Sequence, residues 1–119
     1  MVGSREKFKR GDVCLVNLDP VIGSEIAKVR PAVIISNDIN NEVANTVTVI
    51  PITSKKRAQI YPFEVMLPKG IANLKNDSIA KANQIRTVDK RRILRVLGHL
   101  PNFYINQIER AILIHLGIL

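Results

Sequence analysis

Short β-branched, apolar runs, each cut off by proline, glycine, asparagine or aspartate, succeed one another from Asp12 to His99, and only the stretch after Pro101 keeps a helical period. A run that short cannot bury a face alone and must pair with its neighbours, which confines the chain to antiparallel β architectures. Asp12 to Leu18 is apolar on both pleat faces and stops at the turn signal Asp19-Pro20. Pro31 to Ser36 is continuously apolar, as expected of an internal strand, and is closed by the turn-formers Asn37, Asp38, Asn40 and Asn41. Thr46 to Thr53 follows; Pro51 within it cannot donate to a ladder and predicts an edge, a bulge or a stop in pairing. Tyr61 to Leu67, Ser78 to Val88 and Ile93 to His99 complete the strands. A helix is expected over Asn102 to Leu116, where Ile105, Ile108, Ile112 and Leu116 make one apolar stripe and Gly117 is a fitting stop. The fold class is therefore mainly β with a C-terminal helix: a small barrel or a strongly bent, partly open antiparallel sheet. A single domain over residues 1–119 is expected, with a flexible basic N-terminus at 1–9.

Apolar residues make up 46% of the chain and charged residues 24%, too apolar a balance for a solvated disordered tail. A domain of this size leaves about a third of its unfolded surface wet, so an apolar face is expected to be covered by a second copy. Lysine and arginine number 18 against 10 aspartates and glutamates, a net charge of +8. The surplus gathers at Arg5, Lys7, Lys9 and Arg10, at Lys55, Lys56 and Arg57, and at Lys90, Arg91, Arg92 and Arg95. Such clusters on a folded scaffold suit a polyanion, most economically nucleic acid; solvated edges that block strand pairing are the plainer reading. No apolar stretch approaches the roughly 20 residues of a membrane span and the first residues lack the apolar core of a secretory signal, so a cytoplasmic chain without membrane association is expected. Cys14, between Val13 and Leu15, reads as a small buried hydrophobe. Histidines at helical spacing, a cysteine pair, an acidic ligand cluster and a phosphate-binding glycine loop are all missing from the sequence, so neither a metal nor a cofactor is expected. His99 and His115 read as hydrogen-bonded structural residues.

Arg10-Gly11-Asp12-Val13, Asp19-Pro20, Gly23-Ser24-Glu25 and Arg30-Pro31-Ala32-Val33-Ile34-Ile35-Ser36 stand in the order and near the spacing of the opening of the MazF/PemK toxin family. Pro51-Ile52-Thr53, Tyr61-Pro62-Phe63-Glu64-Val65, Asp77-Ser78 and Asn83-Gln84-Ile85-Arg86-Thr87-Val88-Asp89 continue the match, so the sequence resembles that family from about Arg10 to the last helix. The resemblance implies an SH3-like barrel with a terminal helix, homodimeric, acting as the toxin of a type II toxin–antitoxin pair. It implies a sequence-specific endoribonuclease, independent of ribosome and metal, that cuts single-stranded mRNA to a 2′,3′-cyclic phosphate and a 5′-hydroxyl. It further implies a cognate antitoxin whose acidic, extended tail lies in the RNA groove, and DNA binding together with that antitoxin. Two rivals use the same fold: a non-catalytic toxin acting on DNA gyrase through its terminal helix, and a plain RNA-binding barrel.

Cleavage to a cyclic phosphate needs the 2′-OH proton removed, charge on a five-coordinate phosphorus neutralised and the departing 5′-oxygen protonated. By the resemblance Arg30 and Thr53 are the central catalytic pair. Arg30 brings a five-donor fork suited to phosphate oxygens, and Pro31 after it keeps the backbone extended. Thr53 brings a hydroxyl donor from a strand end where pairing is expected to fail. A guanidinium is a stabiliser and proton donor rather than a base. Glu25, which matches a family carboxylate, is then the candidate base if partial burial activates it; balancing Lys28 or Arg30 is its competing role. Gln84 and Arg86, two apart on one expected strand and so on one face, match positions lining the RNA groove. Ser24, Lys28, Asp77 and Thr87 are candidates to touch RNA or brace that groove, Asp77 fitting a turn equally well. Lys55 and Lys56 are expected to steer phosphates. With three phenylalanines, two tyrosines and no tryptophan, base reading is expected to lean on hydrogen bonds more than on stacking.

Overall fold

The computed structural model describes residues 7–119; Arg5 and most of the expected flexible N-terminus lie outside the described residues. Seven strands, β1 (Asp12–Asn17), β2 (Val29–Ile34), β3 (Thr46–Ser54), β4 (Glu64–Leu67), β5 (Ser78–Lys81), β6 (Arg86–Asp89) and β7 (Ile93–His99), are accompanied by α1 (Asp38–Val43) and α2 (Asn102–His115). They pair antiparallel in the order β4-β5-β3-β2-β1-β7, with β6 also on β3. The sheet is the open, bent alternative rather than a closed barrel. The connection between β4 and β5, not a strand, spans the gap: Asn73 Nδ2 donates to Leu97 O at 2.6 Å. Gly98 allows this approach, since a Cβ there would come within 2.8 Å of the Ala72 backbone.

Both faces of the sheet are buried, which is why β1 is apolar on both pleats. Val13, Val33, Ile50 and Ile52 pack with Ile105, Ile108 and Ala111 of α2 on one side. Cys14, Val16, Ala32, Ile34, Val47 and Val49 pack with Phe8, Leu18, Val88 and Ile93 on the other. Phe8 is 3% exposed and packs in this second cluster, so at residues 8 and 9 the expected flexible N-terminus is corrected: they belong to the fold. Lys9 N donates to Asp12 Oδ2 at 2.9 Å and fixes the entry to β1.

Three local readings are corrected. The asparagine-rich stretch after β2 is a short helix, because Asn37 acts as an N-cap: its side chain accepts from Asn40 N at 2.8 Å. Ser78 to Val88 is not one strand; a 3₁₀ turn at Ala82–Gln84 separates β5 from β6. The two pair with opposite ends of β3, Ala80 with Ile52 and Arg86 with Val49, so the chain steps off opposite Ile50 and Pro51, where a proline has no N–H to offer. Along α2 the buried stripe is Ile105, Ile108 and Ala111, whereas Leu116 is 56% exposed at the C-cap. The expected stop holds: Gly117 takes φ of 73°, its N–H bonds Ile114 O at 3.1 Å and Ile118 N bonds Leu113 O at 2.9 Å. No helix among the described residues is long and apolar enough to cross a membrane.

Candidate active site

The β2–β3 ladder ends at the pair Ala32–Pro51. Proline stands on both strands at that point, and neither Pro31 nor Pro51 can donate to a continuation. Counted on in the same register, Arg30 comes opposite Thr53, on the sheet face that Ala32, Ile34, Val47 and Val49 share. The two residues line a cleft of about 290 Å³ together with Leu15, Pro31, Asn76 and Arg95. They also line an adjoining depression of about 350 Å³ with Ser54, Lys56, Arg57 and Lys81. Arg30 is half-buried; its Nε donates to Ala27 O at 3.2 Å, and its Nη groups make no hydrogen bond among the described residues. Thr53 is half-buried and its hydroxyl makes none either. Pairing fails beside Thr53 only toward β2, since Thr53 still pairs with Ile79 of β5. A fixed cation and a hydroxyl thus face one opening with donors to spare, the arrangement that neutralises an anionic phosphorus centre.

The other expected residues are distributed differently. Glu25 is exposed rather than partly buried, and its Oε1 accepts from Ile22 N at 2.6 Å within its own loop. It forms no ion pair with Lys28 or Arg30 among the described residues. Ser24 is exposed at the same loop tip. Lys28 adopts φ of 71°, its N–H held by Asp19 Oδ1 at 2.9 Å. Gln84 is not on a strand with Arg86, because it sits in the 3₁₀ turn. Both nevertheless brace the loop: Ile26 N donates to Gln84 Oε1 at 3.2 Å and Arg86 Nη1 donates to Leu18 O at 3.0 Å. Asp77 is a turn residue, accepting from Lys69 N at 2.9 Å. Thr87 hydrogen-bonds Thr48 at 2.9 Å across β3 and β6. Lys56 lines the depression, while Lys55 N is held by Asp77 O at 2.8 Å. Among the described residues no group of three or more His, Cys, Asp or Glu side chains is placed to hold a metal ion.

The family of PemK-like, MazF-like toxins of type II toxin–antitoxin systems matches residues 9–116. This chain belongs to that family. It is 38% identical over 116 residues to the endoribonuclease MazF9 of Mycobacterium tuberculosis, covering 93% of this chain and 98% of that one. The structure is similar to a crystal structure of MazF from Deinococcus radiodurans, with a TM-score of 0.80, 28% identity and coverage of 94% and 98%. A mycobacterial endoribonuclease in complex with its cognate antitoxin shares the fold at a TM-score of 0.76 and 22% identity, covering 93% and 96%.

In this PemK/MazF-like chain the basic clusters meet different fates. Arg10 is spent on Glu109 of α2 at 2.6 Å, Lys90 on Asn41 O at 2.6 Å and Arg91 on Asp89 at 3.0 Å. Arg92 donates to Asn17 O and Asp19 O. Lys56 and Arg95 have no such partner among the described residues and stand at the two openings. Sequence reasoning missed Arg57, Lys81 and Arg95 as lining residues, and missed Glu64, which pairs with the first two. Glu64 carries the signal that finds Arg57 and Lys81: a carboxylate inside a run that ends as a buried strand requires cationic partners. Arg57, hydrogen-bonded to it, holds the Glu64 carboxyl below the ordinary range against the upward push of burial, helped by Tyr61 N–H and the charges of Arg57 and Lys81.

Proposed function

We propose that the chain is the endoribonuclease toxin of a type II toxin–antitoxin pair, cutting single-stranded mRNA at a short sequence, without metal, to a 2′,3′-cyclic phosphate and a 5′-hydroxyl. The observation that carries the reading is the juxtaposition of Arg30 and Thr53 at an open cleft where the β2–β3 ladder lapses. Arg30 neutralises the non-bridging oxygens and hands a proton toward the 5′-oxygen; Thr53 donates to the same phosphate. Glu25, on the exposed tip of the preceding loop, lacks the burial that activates a base in the free chain, and takes the 2′-OH proton once bound RNA covers that tip. Lys28, Lys55 and Lys56 attract the backbone, Ser24, Asp77 and Thr87 meet the strand, and Gln84 and Arg86 hold the loop that presents Ser24 and Glu25.

The partners follow from the same surface. An antitoxin segment with an acidic, extended tail complements the cationic opening and excludes RNA, and toxin and antitoxin together bind DNA. A homodimer is supported by the apolar side chains left bare: Leu113, Leu116, Ile118 and Leu119 near the end of α2, and Leu94 and Val96 on β7. The working compartment is the cytoplasm. The test is digestion of a long single-stranded RNA in EDTA with the fragment 5′ ends mapped. Cuts at one recurrent short sequence with 5′-hydroxyl ends are expected; intact RNA alongside inhibited gyrase overturns the reading.

A further inference from the structure

We propose that Arg57 is a second phosphate-binding group of the cleft, taking an RNA phosphodiester that flanks the one at Arg30 and Thr53, and that buried Glu64 is the positioning residue that holds it there. This rests on the RNA-cleaving reading above.

Glu64 opens β4 with its side chain only 1% exposed. Its Oε1 accepts from Arg57 Nη1 at 3.0 Å and from Tyr61 N at 3.0 Å, and its Oε2 accepts from Arg57 Nη2 at 2.6 Å. Lys81 Nζ lies 3.7 Å from the same Oε2. Arg57 Nη1 also donates to Gln59 O, and the guanidinium sits 5.0 Å from the centroid of the Tyr61 ring, which is itself stacked on Phe63 at 5.5 Å. The plane of the guanidinium is therefore set from its end by a carboxylate and from its face by an aromatic ring.

Of the five N–H donors of an arginine, three are engaged here. Nε–H and one Nη2–H have no partner among the described residues, and in a guanidinium these two lie parallel along one edge. That edge is a ready two-pronged donor for phosphate, on a residue that lines the depression with Arg30, Thr53, Lys56 and Lys81. Ordering the fork before RNA arrives removes an entropic cost from binding.

The sign of the Glu64 effect separates this from simple charge. A carboxylate in the wall of an RNA cleft repels the backbone, so by Coulomb's law alone Glu64→Gln tightens binding. The positioning role has the opposite sign. In the experiment the wild-type full chain is first shown to cut RNA. Affinity for an oligonucleotide carrying the mapped cut sequence is then measured against salt in a cleavage-silent Arg30→Ala background, with KM and kcat followed in the Arg30 chain. Arg57→Gln is expected to weaken binding about tenfold and to flatten the log–log salt slope by about 0.7. Arg57→Lys keeps the slope but loses affinity, because it retains charge without the fork. Glu64→Gln moves affinity in the same direction, raises KM more than it lowers kcat, and adds nothing once Arg57 is Gln. Tighter binding in Glu64→Gln, or full additivity with Arg57→Gln, overturns the positioning role. Wild-type affinity in Arg57→Gln overturns the subsite while cleavage stands, and a wild-type chain that leaves RNA whole overturns both. Melting curves identify a Glu64→Gln chain that fails to fold, in which case the Arg57→Lys and Arg57→Gln pair decides.

Discussion

The two ends of β3 are built from similar residues and do different things. At Val49 the strand has Ile34 on one side and Arg86 on the other, and the valines around it are buried. At Thr53 it has Ile79 on one side, while toward β2 the ladder has already ended. A strand that keeps both partners makes core; dropping one partner beside two prolines makes a cleft with polar side chains turned into it. The cations follow the same division. Around the closed end, Arg86, Lys90 and Arg92 are spent on backbone carbonyls and Arg91 on Asp89, whereas Arg30, Lys56 and Arg95 at the open end keep donors to spare. Around the closed end positive charge is therefore spent on structure, whereas at the open end it is left available on Arg30, Lys56 and Arg95 and is held by one buried carboxylate, Glu64, on Arg57 and Lys81.

Four experiments test that division. The largest effect is expected at the open end: Arg30→Ala should lower the cleavage rate by about 10²–10³ with only a small fall in melting temperature, since the structural loss is one half-buried side chain and its bond to Ala27 O. A normal rate in that variant removes Arg30 from the chemistry. At the closed end Ile34→Val, opposite Val49, should cost about 0.5–1.5 kcal/mol in urea denaturation while the rate per folded molecule holds. A selective loss of rate there breaks the comparison.

The third experiment concerns pH. Because Arg57 lowers the folded-state pKa of Glu64, that carboxylate contributes stability above about 4.5, its ordinary value, and the contribution is lost as pH falls through the lowered folded value. The melting-temperature gap between wild type and Glu64→Gln should be widest near neutrality and close in acid; a gap that persists at low pH shows that the ion pair is not its source. The smallest effect contrasts two exposed cations. Lys56→Ala should flatten the salt dependence of RNA binding by about 0.7 in the log–log slope, while Arg91→Ala should leave it unaltered. Equal slopes for the two variants erase the distinction between the ends.

Much of the fold was legible because its signals are local. Alternation, proline and the Gly117 stop act within a few residues of themselves, and they located the strands, the last helix and the lapse at Pro51. Where two local signals compete, the reading went wrong. Asn37 suits a turn and an N-cap equally, and the apolar run after Ser78 hid a 3₁₀ turn because Ala82–Gln84 has no proline or glycine to mark it. The Arg30–Thr53 pair was legible through the family resemblance. The roles of Gln84 and Arg86 as loop braces were not, since their partners lie 58 and 68 residues away.

The sequence by itself determined the succession of apolar strands along the chain, the terminal helix and the presence of an arginine and a threonine beside chain-stiffening prolines, all consequences of side-chain shape and backbone angles along the chain. Only the tertiary structure decided which cations remain available. That choice depends on carboxylates and carbonyls brought from as far as 99 residues away, as Glu109 is to Arg10, and distance along the chain carries no electrostatic information until the sheet has formed.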